Sequence, residues 1–305
     1  MKKERKIIKF IKNNLLGFVI GGLIFGSVGV IADTIINSSN VAYKTSTVKG
    51  ALDELYGLAD LKEILIRPDA GSHNSIYRGK DVTSYYTDGT LYTRISDGSF
   101  EDLYVGDYIV KNGVNWRIAG FDIYYGKGDT ALTTHHVVIV PDTSLTSSVM
   151  NDTNVTEGGY VGSKMYTETL PNVLSTYITP VFGSHVLEYR NILTTSVNTS
   201  LYNRYGSNTG ASNNWTWQTR KLDLMNENQV PGGTEWSSSG NETGSDNIQF
   251  PLFRLKPEFV NKQRIWYWLR NVTSSSAFAG ITDSGYNGTT HASNSEGVRP
   301  YFYID

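Results

Sequence analysis

His135 and His136 stand side by side, His185 lies one helical turn before Glu188, and Asp283-Ser284-Gly285-Tyr286-Asn287-Gly288 strings oxygen-bearing side chains between glycines. Each grouping has a chemical reading. Adjacent histidines on a strand point to opposite faces and cannot grip one ion together, so they read as structural or surface residues. A histidine with an acid one turn away can serve as a base and its orienting carboxylate, but a capped helix start with an exposed acid has the same spelling and is the simpler reading. The 283–288 run resembles a fragment of a calcium loop, yet it lacks the flanking helices and distal glutamate of such a site and reads as a turn. The chain has no His-Glu-x-x-His, no phosphate-cradling glycine loop before a helix and no Gly-x-Ser-x-Gly elbow. A carboxylate pair for glycoside hydrolysis can come from distant strands, and no particular pair is marked.

Composition narrows the chemistry further. The 305 residues contain no cysteine, which removes disulfides, thiolate nucleophiles, sulfur-ligated zinc and iron–sulfur clusters. No metal or cofactor is called for. The first twelve residues hold Lys2, Lys3, Arg5, Lys6, Lys9 and Lys12 against Glu4, a surplus of five, so a chain of net charge −2 carries about −7 after Lys12. A body that acidic is a poor partner for nucleic acid, whose phosphates need clustered cations. Abundant Tyr and Trp among Asn, Ser, Thr and Gly suit β-strands joined by polar loops.

The basic segment 1–12 precedes "LLGFVIGGLIFGSVGVIA", uncharged from Leu15 to Ala32. Eighteen apolar residues nearly cross a bilayer, and the positive flank keeps the N-terminus inside. Residues 13–33 therefore read as a transmembrane anchor, with a signal peptide as the alternative, since Val30 and Ala32 are small residues at a cleavage position. Either way the remainder is exported, as a single-pass membrane protein with an extracellular C-terminal domain or as a secreted one. Residues 34–66 form a linker and then a short helix, with Val48, Leu52, Leu55 and Ala59 on one face. That helix is a stalk, open to homo-oligomerisation through residues 47–65 or to docking on the domain that follows.

Residues 67–100 read as a small neck of strands and turns, and 101–305 as the main domain. Within it, strands around Asp107–Val110 and Trp116–Gly120 flank Asn112-Gly113, a two-residue hairpin signal. "HHVVIVPD" is a buried strand. Two stretches, "GSKMYTETLPNVLSTYITPVFG" and "GSHVLEYRNILTTSVNTSLYNRY", have helical spacing, with Ser163 and Ser184 as caps and Pro171 and Pro180 as breaks. A long loop passage from Thr209 to Asn247 is held by Trp215, Trp217 and Trp236. "FPLFRLKPEFV", "RIWYWLRN", "SAFAGIT" and "GVRPYFYI" read as terminal strands, the last pairing back into the sheet.

The combination of "VNWRIAGFD" near Trp116, "WYWLRN" at Trp266 to Asn271, "FAGI" at Phe278 and "ASNSEGVRP" before a final strand resembles uncharacterised surface and prophage-associated domains of Gram-positive bacteria. The N-terminal "KFIKNNLLGFVIGG" and "TVKGALDELY" are similar to the anchor and helix that often precede them. More loosely, the ending is similar to the C-type-lectin-like fold of formylglycine-generating-enzyme relatives and of variable proteins diversified by retroelements. There a rigid framework ends in a polar ligand surface followed by a Gly-x-Arg strand. The resemblance implies an α+β, C-type-lectin-like domain with an antiparallel sheet, covering helices and long loops. It implies no oxidase chemistry, because cysteine is absent, and the calcium-binding Glu-Pro-Asn and Trp-Asn-Asp motifs of sugar-binding lectins are missing too.

The implied ligand surface comprises Asn271, Thr273, Ser274, Ser276, Phe278, Thr282, Asp283, Tyr286, Asn287, Thr289, His291 and Asn294. Tyrosine among short hydroxyl and amide side chains is the mixture paratopes use. The expectation is a binding protein, an adhesin or receptor-recognition protein on a cell surface or phage particle, contacting a protein or glycan. A cell-wall glycan hydrolase centred on Trp215, Trp217 and Trp236 and a structural stalk or pilus-like component are the alternatives.

Overall fold

The computed structural model describes residues 70–198, 211–236 and 248–305, together with two short strands before them. The chain divides into two compact units, Met1–Arg67 and Pro68–Asp305. In the first, β1 (Ala42–Tyr43) and β2 (Ser46–Thr47) pair antiparallel inside the expected linker. The basic segment 1–12, the apolar segment 13–33 and the helix expected after Thr47 lie outside the described residues. Among the described residues no helix is long and apolar enough to cross a membrane.

The second unit is α+β, with mostly antiparallel sheets. Its first sheet grows from the hairpin of β3 (Tyr108–Lys111) and β4 (Val114–Phe121). Asn112 and Gly113 take φ of 52° and 75°, so the two-residue loop bends as the Asn-Gly pair predicts and sets Lys111 opposite Val114. β5 (Val137–Pro141) follows, buried at every position, as an unbroken apolar run requires. β14 (Pro300–Ile304) then lies between β5 and the short β9 (Asp223–Leu224), so the last strand is an inner member of the order β3-β4-β5-β14-β9.

The second sheet has the order β12-β11-β10-β13-β6. Its strands are β6 (Thr146–Ser148), β10 (Tyr267–Val272), β11 (Ala277–Ile281), β12 (Asn287–His291) and β13 (Glu296–Val298). β10 and β11 are wholly buried. β13 runs parallel to β10 and antiparallel to β6. Only Arg299 separates β13 from β14, so the chain steps from one sheet to the other at that residue. A two-stranded ribbon of β7 (Tyr189–Val197) and β8 (Ser212–Arg220) stands apart from both sheets.

Several expectations are corrected here. The segment before Phe100 is helical, with helices Ala70–His73, Thr83–Thr87 and Thr90–Ser96, and only isolated bridges where strands were expected. Asp81 and Asp88 explain this locally, because each carboxylate accepts from the backbone and hydroxyl of the threonine two residues on, opening a helix. The first helical stretch forms as read, with the Ser163 hydroxyl accepting from the Tyr166 N–H at 3.2 Å. Its prolines do not break it. Wide turns at Met165–Thr169 and Leu174–Ile178 precede the α segments Leu170–Val173 and Thr179–Phe182, and Pro171 and Pro180 each enter just after one. Widening the turn relieves the clash of the ring with an earlier carbonyl. Gly183, at φ 56°, ends the helix. The second stretch is the strand β7: Tyr, Ile and Thr favour a strand, and alternate positions are buried from Tyr189 to Leu193. Part of the expected long loop is the strand β8, while "FPLFRLKPEF" folds as helix Pro251–Leu255 and a single turn, Pro257–Phe259.

Candidate functional site

The C-terminal forty residues separate into a buried frame and an outer edge. Trp268, buried on β10, donates its Nε1–H to the Ser148 carbonyl at 2.8 Å, tying β10 to β6. Arg299, 2% exposed, donates from Nε to the Pro141 carbonyl at 2.8 Å and from Nη1 to those of Phe259 and Val260 at 3.0 and 2.9 Å. Its guanidinium also faces the rings of Phe253 and Tyr267, 5.4 and 5.3 Å from their centroids. Burial pushes the Tyr267 hydroxyl up to about 12, against the opposing pull of Arg299, and that neutral hydroxyl donates to the Val260 carbonyl at 2.6 Å. Gly297 is required because a Cβ there would collide with the Ser144 hydroxyl and the Trp266 carbonyl, to which the Gly297 N–H donates at 2.9 Å. Thus "GVRP" spells a close approach and a buried cationic staple.

Four of the twelve predicted contact residues belong to this frame. Asn271 is 1% exposed and its Oδ1 accepts the Glu227 N–H at 2.9 Å. Thr273 and Ser274 are buried in the turn after β10, where their N–H groups donate to the Ala277 carbonyl, and Phe278 is buried on β11. These four cannot meet a ligand at the surface. Side chains here are consumed internally: the Thr273 hydroxyl bonds that of Thr289 at 2.6 Å, and the Ser274 hydroxyl accepts the Ser276 N–H at 3.2 Å.

The outer edge holds the others. Asp283 and Tyr286 are exposed, Tyr286 to 74%, on the turn joining β11 to β12. That turn is closed by Thr282 N–H to the Tyr286 carbonyl at 2.8 Å, with Gly285 at φ 86°. It is a plain turn, and among the described residues no three His, Asp or Glu side chains gather as a metal site would need. Asn287, Thr289 and His291 lie on one face of β12 by strand alternation and are half-buried, as are Ser276 and Thr282. Asn287 Oδ1 and His291 Nδ1 are shielded from water without a hydrogen-bond partner. Exposed Asn294 donates from Nδ2 to Thr290 at 2.5 Å.

Three residues from elsewhere complete the edge. Asn154 Oδ1 accepts from the Ser293 N–H and hydroxyl at 3.1 and 2.7 Å, fixing the loop after β12. The exposed Glu235 accepts from Asn287 Nδ2 at 3.4 Å, and Trp236 beside it is buried. They lie 52 and 139 positions from their partners, and no local pattern announces such contacts.

The other chemically suggestive groups have structural duties. His135 Nδ1 lies 2.7 Å from Asp122 Oδ2, while buried His136 donates from Nδ1 to the Thr134 carbonyl and accepts the Tyr124 N–H at Nε2. His185 stacks on Tyr92 at 3.5 Å and lies 3.4 Å from the Asp305 carboxylate, so its acid is Asp305 and not Glu188. Asp223 is buried among Arg220, Tyr160, Tyr189 and Asn191, a core network that the Arg220 charge balances. The crevice beside it, lined by Tyr160, Leu193, Thr194, Arg270 and Asn271, is too tight for a water-sized guest. No protein-family model matches the chain, and no curated protein or solved structure shows significant similarity to it.

Proposed function

We propose that the chain is a surface-displayed recognition protein of the C-type-lectin-like kind, membrane-anchored or exported, on a bacterial cell or a related phage particle. The outer edge of the second sheet meets a protein or glycan ligand. The observation that carries this reading is the contrast within one stretch of chain. Arg299, Trp268 and Asn271 fix a dry frame, and farther along the chain Tyr286 stands in solvent beside Asp283 and the half-buried polar strand β12. An exposed aromatic on a rigid support supplies contact area at small entropic cost, and the polar side chains around it supply specificity.

The test is binding of full-length protein to cell surfaces and to a glycan and protein array, compared with Tyr286→Ala and His291→Ala. The expected outcome is loss of binding with an unchanged unfolding temperature. Binding that survives both substitutions refutes the assignment of the ligand to this edge.

A further inference from the structure

The β7–β8 ribbon has two unlike faces. One turns Tyr189, Asn191 and Leu193 into the core. The other carries Arg190 and Ile192 from β7, with Thr219 and Trp217 directly across on β8 and Trp215 next along the same side, opposite buried Thr194; Asn213 follows where the register shifts. The chain has six tryptophans, of which Trp116, Trp236 and Trp268 are buried, while both indoles of the ribbon are partly exposed. Among the described residues no aromatic ring stacks on either. Both indoles present part of their surface on one strand face, Trp215 with its Nε1 shielded from water, and aromatic area shown to solvent in this way marks contact sites.

The polar groups around them define the partner. Arg190 is clamped by Asp129 through two bonds of 2.9 Å and donates from Nη1 to the Thr219 hydroxyl at 3.0 Å, so this face has no net charge. Asn213, bonded to the Ser196 hydroxyl, flanks the other end. We infer that this face is a binding platform for an uncharged linear oligosaccharide. The C–H faces of sugar rings stack on Trp215 and Trp217, about 7 Å apart along the strand. Sugar hydroxyls bond to Asn213, Thr219 and the Arg190–Asp129 pair. A nucleic acid needs free cations here, and the one arginine is neutralised. A protein partner needs more aliphatic area than Ile192 alone provides. Hydrolysis needs two carboxylates across a glycosidic bond, whereas Asp129 is held by Arg190, so the platform holds a glycan without cutting it. Buried Trp236 takes no part.

The experiment uses full-length protein in a detergent without a sugar headgroup. It is applied to an array of uncharged linear oligosaccharides, chitohexaose and cellohexaose among them, with sulfated and sialylated counterparts. Neutral hits are then titrated by tryptophan fluorescence. Expected are retention of at least one neutral member, affinity about tenfold weaker in Trp215→Ala and Trp217→Ala, and a change within about threefold in the Phe variants, which keep an aromatic face. If an Ala variant unfolds, the Phe variants and the emission shift of the native protein decide. Tyr286→Ala leaves this binding unchanged, which separates the platform from the outer edge of the second sheet. The inference is overturned if no neutral oligosaccharide binds at millimolar concentration, if only charged polymers or proteins bind, or if well-folded Ala variants bind as tightly as the native chain.

Discussion

Replacing Arg299 by methionine keeps most of the side-chain stem and removes the guanidinium from the crossing between the sheets. Two buried carbonyls, those of Pro141 and Phe259, then lose the Arg299 donor, while that of Val260 keeps the Tyr267 hydroxyl. An orphaned buried acceptor costs about 1–3 kcal/mol. Part of that is returned, because a cation with only carbonyls and ring faces around it no longer has to be kept out of water. Two stranded acceptors, less that return, leave a net cost of about 2–5 kcal/mol. For a unit of this size each kcal/mol moves the midpoint by about 2–4 °C, so Arg299→Met lowers Tm by roughly 4–20 °C. Arg299→Lys loses part of that, since one ammonium cannot reach three carbonyls in the fork geometry of Arg. The assay is thermal and urea unfolding of the full chain followed by near-ultraviolet circular dichroism. A loss below about 1 kcal/mol for methionine, with unchanged cooperativity, refutes the view that Arg299 pins the sheets together.

Other expectations follow from the same contacts. Burial lowers the pKa of His136, outweighing the Thr134 carbonyl and Asp122, and the neutral ring accepts the Tyr124 N–H. The unfolded chain therefore binds the proton first, stability falls as pH drops below about 6.5, and a urea midpoint that stays flat from pH 7.5 to 5.5 counts against this. Burial raises the pKa of Glu296, so its ionised form costs stability at neutral pH. Glu296→Gln should be at least as stable as the native chain at pH 7, with the difference vanishing in acid, and a clear loss at pH 7 refutes the assignment. Asn271→Ala strands the Glu227 N–H and costs about 1–3 kcal/mol, whereas Asp283→Ala and Asn294→Ala change stability by no more than about 0.5 kcal/mol. Equal effects at all three positions contradict the division between frame and edge.

The sequence was most informative where local chemistry decides. Asn112-Gly113 set a hairpin, the apolar run at Val137 set a buried strand, and the Ser163 hydroxyl started a helix. It misled where one pattern serves two structures: "HVLEYRNILTTSV" has helical spacing, but its alternate positions Tyr189, Asn191 and Leu193 face the core. The two prolines in the long helix look like breaks only if every turn has the same width. The polar stretch after Asn271 was misleading for another reason. Ser, Thr and Asn look solvent-facing by composition, yet their short side chains are also suited to satisfying buried backbone, which is what Asn271 and Ser274 do. Nothing local distinguishes Thr273 from Thr290. What separates them is how many strands lie outside each, a property of the whole sheet.

That topology also bears on the rigidity of the proposed recognition edge. Binding orders a surface at an entropic cost unless the surface is already ordered. Among the described residues β12 has no neighbouring strand on its outer side, so its order comes from β11 and from what packs on its faces. Trp266 supplies one such contact, since a Cβ at Gly288 would collide with the far edge of its ring. The Trp266 carbonyl in turn accepts the Gly297 N–H, and Arg299 follows two residues later. Rigidity therefore runs from the staple at the sheet crossing, through β13 and Trp266, to the strand that carries Asn287 and His291. Exposed side chains at the outer edge are free to change without disturbing that path, whereas the path itself rests on buried Arg299, the close approach at Gly297 and the ring of Trp266. A molecule whose solvent-facing residues can vary while their support cannot is suited to recognising different partners with one fold.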